Sequence, residues 1–402
     1  MRNIALRGEI ERIALFSAHE HYRPLGAAAS LEAILESSYL GPLWTWLTPG
    51  ASRPSRAAFF RELAVKSCAV WLKKALRAVY GVREELNERS WDAYDERIKG
   101  SYRDPQHAIR IYRERCRFAG IIQDSYWNPG ESWPEHGLFY PALRINSFLY
   151  GYGESAKDHN GNSARTLYGI RTGDIDEYVA QMEALIRAKL REGCVALKSA
   201  LAYDREISFP VADKRQAEDA LRKERPEAAE IKAFGDYIFR ELCAIAGRLR
   251  IPFQIHTGLG LLWGSDPMFF EPVIRSFPEV DFVLLHGGFP WYHSVAGLLN
   301  VYRNVYADLS YLTIVSPTAA VAALHEWLEA ANSVSKITWG GDCCSPEESY
   351  GASLAFRAVL KDVFCHKVAS GYLHPEVAWE AARAIASENA RKLYLEAGRH
   401  ER

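Results

Sequence analysis

Along most of this chain, short apolar runs alternate with longer stretches whose apolar residues recur at helical spacing. The first short run covers residues 13–18, IALFSA, and predicts a strand. After residue 115 the alternation becomes regular. RFAGIIQD (117–124), ALRINSFL (142–149) and CVALK (194–198) read as strands. So do IPFQIH (251–256), VDFVLLH (280–286), NVYADL (304–309) and KITWGG (336–341). Between them, DIDEYVAQMEALIRAKLREG (174–193) carries helical spacing, acids in its first turn and a closing glycine. A charged helical region follows over 210–250, then helices over 267–277, 290–300 and 317–331, and a helical C-terminus.

Strands that alternate with helices in this way predict a parallel sheet covered by helices. About eight strands predict closure, so the expected fold is α/β, a (β/α)8 TIM-like barrel. The competing fold is an open doubly wound sheet. No GxGxxG follows the first strand, which weakens a dinucleotide-binding reading. Residues from about 30 to 115 break the alternation and look helical, with the large aromatics Trp44, Trp46, Trp71, Tyr80 and Trp91. They are expected to form a helical insertion after the first strand of a single domain spanning 1–402. Such loops lie on the catalytic face of these barrels, so a lid is expected. A helical subdomain that packs elsewhere or makes an oligomer contact is the alternative.

Composition narrows the function. The chain is 48% hydrophobic, 25% charged and 12% aromatic, enough for a sizeable core. A formal net charge of −1 offers no broad attraction to nucleic acid or an anionic membrane. No apolar run approaches the roughly 20 residues of a spanning helix, and the N-terminus has no secretory h-region. The cysteines, Cys68, Cys116, Cys194, Cys243, Cys343, Cys344 and Cys365, are odd in number and contain no CxxC. That argues against a disulfide framework and for a cytoplasmic setting. The expected partner is a small-molecule substrate, with homo-oligomerisation as a further expectation.

Chemistry in such barrels projects from the C-terminal ends of the strands. The first strand runs into FSAHEH, which places His19 and His21 two residues apart, on one face. Glu20, between them, is expected to point away from them. The fourth strand ends at Lys198, the fifth at His256, the sixth at His286 and the eighth at Asp342. Imidazoles with a carboxylate suit a divalent ion, zinc first, with manganese or iron also compatible. Singly each residue has a bland reading. His286 before Gly-Gly could be a turn histidine, and Asp342 could cap the next helix. Together, several strand ends carry ligand-capable groups.

This order resembles the amidohydrolase superfamily, and most closely its FluG/nodulin–glutamine synthetase branch. The matching segments are ALKSALAYDR (196–205), PFQIHTGLG (252–260), VLLHGGFPWYHSVAGLL (283–299), NVYADLSYL (304–312), KITWGGDCCSPEESY (336–350) and ENARKLYLE (388–396). The long first loop also resembles that of uronate isomerases. HGGFPW stands where HASYP-like forms are commoner, and GGDCC lacks the serine or threonine often found before the aspartate. The resemblance implies a metal held by His19, His21, His256 and Asp342. His286 would serve a second ion or act as a catalytic group. Lys198 is carboxylated between two metals in some branches and contacts substrate in others. Ser199, Tyr203 and Arg205 match the branch's pattern.

The implied activity is hydrolysis of an amide or related C–N bond by a metal-activated water, with Asp342 taking the proton and His286 polarising the carbonyl. Arg144 and Arg205 near the mouth suggest a carboxylate-bearing substrate, since guanidinium groups bind carboxylates bidentately. Their other reading is a structural ion pair. Asp124 and His136 follow the second strand and are candidates to line the pocket. Trp263, Trp291, Tyr292 and His293 are placed to shape specificity or to pack beneath loops. Cys343 and Cys344 are soft-ligand candidates or buried small residues. The alternatives are a uronate-isomerase-like isomerisation, a non-oxidative decarboxylation, and a non-catalytic barrel module.

Overall fold

The computed structural model describes residues 2–42, 55–134 and 137–396. Trp44, Trp46 and His136 lie outside the described residues. Eight strands are present: β1 (Leu15–Glu20), β2 (Phe118–Gln123), β3 (Phe139–Arg144), β4 (Ala196–Ser199), β5 (Phe253–His256), β6 (Phe282–Leu285), β7 (Val305–Asp308) and β8 (Ile337–Thr338). They form one sheet in sequence order, and the pairs from β3 to β8 are parallel. β4, β5 and β6 are buried at every residue, as strands covered on both faces must be. Beyond β8 the chain returns to β1. Ala18 N donates to Trp339 O and His21 N to Cys343 O, both at 2.9 Å. The architecture is a (β/α)8 barrel.

Three predicted elements end elsewhere, each for a local reason. The strand expected at 142–149 begins at Phe139 and stops at Arg144, and a 3-10 turn follows. Asn146 draws the chain out of the ladder there. Its side chain accepts from Ala200 N at 2.8 Å and donates to Asp204 at 3.0 Å. The helical region at 210–250 divides into Lys214–Arg222 and Ala228–Leu249. Pro226, which has no N–H, lies in the gap. The eighth strand is only two residues long in the ladder, since the backbone after Thr338 bonds to β1 instead.

By their contacts, the residues divide into two compact units. One comprises Met1–Ile121, Leu309–His325 and Trp339–Glu388; the other comprises Ile122–Asp308, Glu326–Thr338 and Asn389–Arg402. The first unit contains α1 (Arg2–Arg12) and, among the helices between β1 and β2, α2 (Leu31–Ser37), α3 (Arg56–Glu62), α4 (Ser67–Tyr80) and α5 (Trp91–Ser101). α4 buries Cys68, Ala69, Leu72, Ala75, Leu76 and Tyr80, one stripe at helical spacing. Gly81 then ends it in the left-handed conformation at φ 65°. Leu31, Ile34, Trp91 and Ile98 share a hydrophobic cluster with it, so this stretch has a core of its own.

The same stretch is fastened to the long helix α6 (Pro346–Ala369) of its unit. The hydroxyls of Tyr80 and Tyr102 donate to the buried Glu347 carboxylate, and Tyr39 N donates to Glu348 Oε1 at 2.9 Å. Both acids sit in the first turn of α6, where the helix dipole favours negative charge. Even so, burial pushes the Glu348 carboxyl up to about 8. A carboxyl raised on folding contributes stability in acid that is lost as pH rises through the folded value. Stability should therefore fall between about pH 5 and 8, and Glu348→Gln should flatten that slope. Denaturant titrations of both proteins across this range provide the check; equal slopes would rule out Glu348 as a source. Among the described residues, no helix is long and apolar enough to cross a membrane.

Candidate functional site

The first unit brings three of the sequence-predicted residues together. β1 is buried throughout and ends in polar residues that need partners. His19 Nε2 lies 3.3 Å from Asp342 Oδ1, and His21 Nε2 lies 3.2 Å from the same oxygen. The two imidazoles meet edge to face at 4.7 Å. The donor atoms of all three residues lie within 4.8 Å of one another. Among the described residues, this is the group of His, Cys, Asp or Glu donors placed to share an ion.

Local backbone chemistry explains how Asp342 reaches the histidines. A Cβ on Gly340 would stand 2.6 Å from His19 N, and one on Gly341 would stand 2.2 Å from Glu20 Oε1. Only glycines let this segment lie against β1. Asp342 itself sits at φ 61°, a region costly to non-glycine residues. It is held there by a 2.8 Å bond from its N–H to His19 O. The donor set fits a metal: two atoms bound tetrahedrally at about 2.0–2.1 Å from zinc stand about 3.3 Å apart.

One contact of Asp342 has no signal in the sequence. The Tyr39 hydroxyl donates to Asp342 Oδ2, with the Asp342 backbone oxygen 2.7 Å away. Tyr39 comes from the helical stretch after β1 and stacks on Tyr311 at 3.9 Å. It lies 303 positions from Asp342 along the chain, beyond any spacing rule. Cys343 is buried, with Sγ 3.2 Å from Gly341 O, and burial raises its thiol pKa well above the ordinary range. Neither Cys343 nor Cys344 belongs to the donor group.

The second unit holds the other predicted residues. His256 ends β5, and its Nδ1 lies 2.9 Å from Nε2 of His286. His286 stands at φ 63°, immediately after β6 and before Gly287 and Gly288. His256 Nε2 is buried without a hydrogen-bond partner. Burial lowers the His256 pKa well below the ordinary imidazole range, aided by His286, Lys198 and Arg144. The ring therefore stays neutral. A neutral imidazole with one nitrogen engaged and the other buried and bare meets the requirements of a metal ligand. Lys198 is buried on β4, and the half-exposed Tyr203 places its ring 4.5 Å from that of His256.

Each of the two arginines has an internal carboxylate partner. Arg144 grips both oxygens of the buried Asp124 carboxylate, Nε reaching Oδ1 at 3.2 Å and Nη2 reaching Oδ2 at 2.6 Å. Burial opposes the Arg144 charge, but Asp124 outweighs it and raises the pKa. Arg205 Nη2 bonds the buried Asp236 carboxylate and, at 3.1 Å, Ser208 O. Each guanidinium already has a carboxylate of its own, so neither contact supports the expected role in binding substrate. His293 pairs with Glu326 at 2.6 Å, and Trp263 is exposed.

A sequence profile of the family described as amidohydrolase matches residues 195–395, half of the chain. The chain belongs to the amidohydrolase family. The matched region carries Lys198, His256, His286 and Asp342, while His19, His21 and the helical stretch lie outside it. Protein fluG of Emericella nidulans is 32% identical over 220 residues, which is 50% of this chain and 25% of that protein. The match thus spans only about a quarter of that relative's length.

Solved structures resemble the amidohydrolase chain over nearly its whole length. A protein assigned as a metal-dependent hydrolase from Lactobacillus casei superposes with a TM-score of 0.72 at 14% identity, covering 99% of each chain. A uronate isomerase from Thermotoga maritima gives 0.74 at 15%, covering 98% and 97%. A glucuronate isomerase from Caulobacter crescentus gives 0.73 at 14%, covering 98% and 93%. At these identities the likeness speaks for the fold alone.

Proposed function

We propose that this member of the amidohydrolase family holds a divalent ion at His19, His21 and Asp342 and hydrolyses an amide or related C–N bond of a small molecule. The observation that carries this reading is the convergence of two imidazoles on one carboxylate oxygen at 3.2–3.3 Å. Zinc suits two imidazoles and a carboxylate. The bare Nε2 of His256 supports the ligand role that the strand-end order gives it. Such an ion, when bound, makes hydroxide available near neutral pH by lowering the pKa of its water from about 15.7 towards 7.

The chain's own residues supply the rest. Asp342 can take a proton on its carboxylate while Tyr39 and the His19 carbonyl fix its orientation. His286, tied to His256, is the group proposed to polarise the scissile carbonyl. With Arg144 and Arg205 engaged internally, the buried Lys198, as a free ammonium, becomes the proposed contact for a substrate carboxylate; a carboxylated Lys198 would carry a negative charge and serve a metal instead. Seven cysteines, odd in number and without a CxxC pair, accord with a reducing, cytoplasmic setting.

A second reading has one observation in its favour. Two uronate-type isomerase structures share this fold over 98% of the chain, as the metal-dependent hydrolase structure does over 99%. Product analysis in 18O-labelled water separates the reactions. Hydrolysis places the label in the product, isomerisation conserves the formula, and decarboxylation releases CO2. A product of unchanged formula would replace hydrolysis with isomerisation. Metal retained without turnover across amide, uronate and carboxylate panels would favour a non-catalytic module.

A further inference from the structure

Glu20 lies between the two histidines, where the alternation of a strand turns a side chain away from theirs. It is fully buried at the end of β1. Its carboxylate accepts three hydrogen bonds. Ser17 Oγ donates to Oε1 at 2.8 Å, Cys343 N donates to Oε2 at 2.8 Å, and Ser349 Oγ donates to Oε2 at 3.0 Å. No cationic side chain pairs with it among the described residues. A buried, ion-unpaired carboxylate is expensive to keep. An apolar residue in its place would leave the buried Cys343 N–H and the two hydroxyls without this acceptor.

The three donors share one feature: each belongs to a segment that sets the donor geometry. Ser17 is in β1, two residues before His19, and also accepts from Gly341 N at 3.0 Å. Cys343 directly follows Asp342. Ser349 lies in α6, the helix that the Asp342 segment leads into. The left-handed Asp342 is thus held on both sides, by its own N–H to His19 O and by the next N–H to Glu20. An acceptor at this point locks the Asp342 backbone to the strand that carries the histidines.

We propose that Glu20 is a positioning residue that fixes Asp342 against His19 and His21 and so sets the affinity of the site for its divalent ion. This rests on the metal reading of that site. Groups that orient ligands from outside the coordination shell typically change metal affinity by about 10–100-fold when replaced. Glu20→Gln keeps the volume but turns one acceptor oxygen into a donor facing donors. Ser349→Ala removes one of the three bonds and leaves β1 and its histidines untouched.

The test is the zinc dissociation constant of each variant, measured by competition with a chromophoric chelator, with circular dichroism and thermal melting run alongside. Glu20→Gln should bind zinc about 10–100-fold more weakly while keeping the wild-type spectrum. Ser349→Ala should bind several-fold more weakly, and it decides the matter if Glu20→Gln does not fold. A purely structural role would lower the melting temperature and leave the affinity of the folded protein unchanged. Wild-type affinity in the folded variants, with wild-type protein that binds zinc, overturns the role of Glu20 alone. Wild-type protein that binds no divalent ion overturns the metal reading itself.

Discussion

Asp342→Asn is expected to lower turnover by at least about 100-fold while leaving the barrel folded. Two separate losses contribute. The Oδ1 atom that both imidazoles approach at 3.2–3.3 Å loses its charge, so the site holds a cation more weakly. The residue also loses its capacity to accept a proton, a function worth about 10²–10⁴-fold where a side chain serves it. The fold should persist, because the backbone bond from residue 342 to His19 O and the two preceding glycines do not depend on the side chain's charge. The measurement is turnover of a substrate that the wild type cleaves, read with the bound metal per chain. Near-normal turnover in a metal-loaded Asp342→Asn protein would remove Asp342 from the chemistry.

Arg144→Met should destabilise the protein by about 3–5 kcal/mol. The substitution leaves Asp124 fully buried, with its bidentate partner gone. An uncompensated buried charge costs far more than the pair itself contributes. The double variant Asp124→Leu with Arg144→Met removes both charges and should recover much of the loss. Denaturant unfolding of the wild type, single and double variants gives the comparison. If Arg144→Met were as stable as the wild type but raised KM alone, the guanidinium would be a substrate contact, contrary to its bidentate grip on Asp124.

The strand ends are legible because each ends an apolar run in a polar residue, and such residues have few other reasons to be there. His19, His21 and Asp342 are readable in that way, and Gly340 and Gly341 mark the close approach that joins them. The helical stretch is legible from the spacing of residues such as Leu72 and Leu76. Its attachment is not. Tyr39, Tyr80 and Tyr102 meet Asp342 and Glu347 across some 245 to 303 positions, and no periodicity carries such pairings. Glu20 is hidden for a related reason. Its position in the strand gives a direction, whereas its role depends on donors supplied by Cys343 and Ser349. The arginines point to a ligand because their partners, Asp124 and Asp236, become neighbours only after folding. The end of β3 is concealed in the side-chain bonds of Asn146.

Elemental analysis of the purified protein decides most directly whether His19, His21 and Asp342 form a metal centre. The expected result is a divalent ion retained through dialysis, its loss on chelation with a lower melting temperature, and recovery of both on adding the ion back. A variant with both His19→Ala and His21→Ala should retain none. Wild-type protein that carries no divalent ion, and whose melting temperature does not move with zinc, manganese or iron, would show that these three residues are not a metal centre.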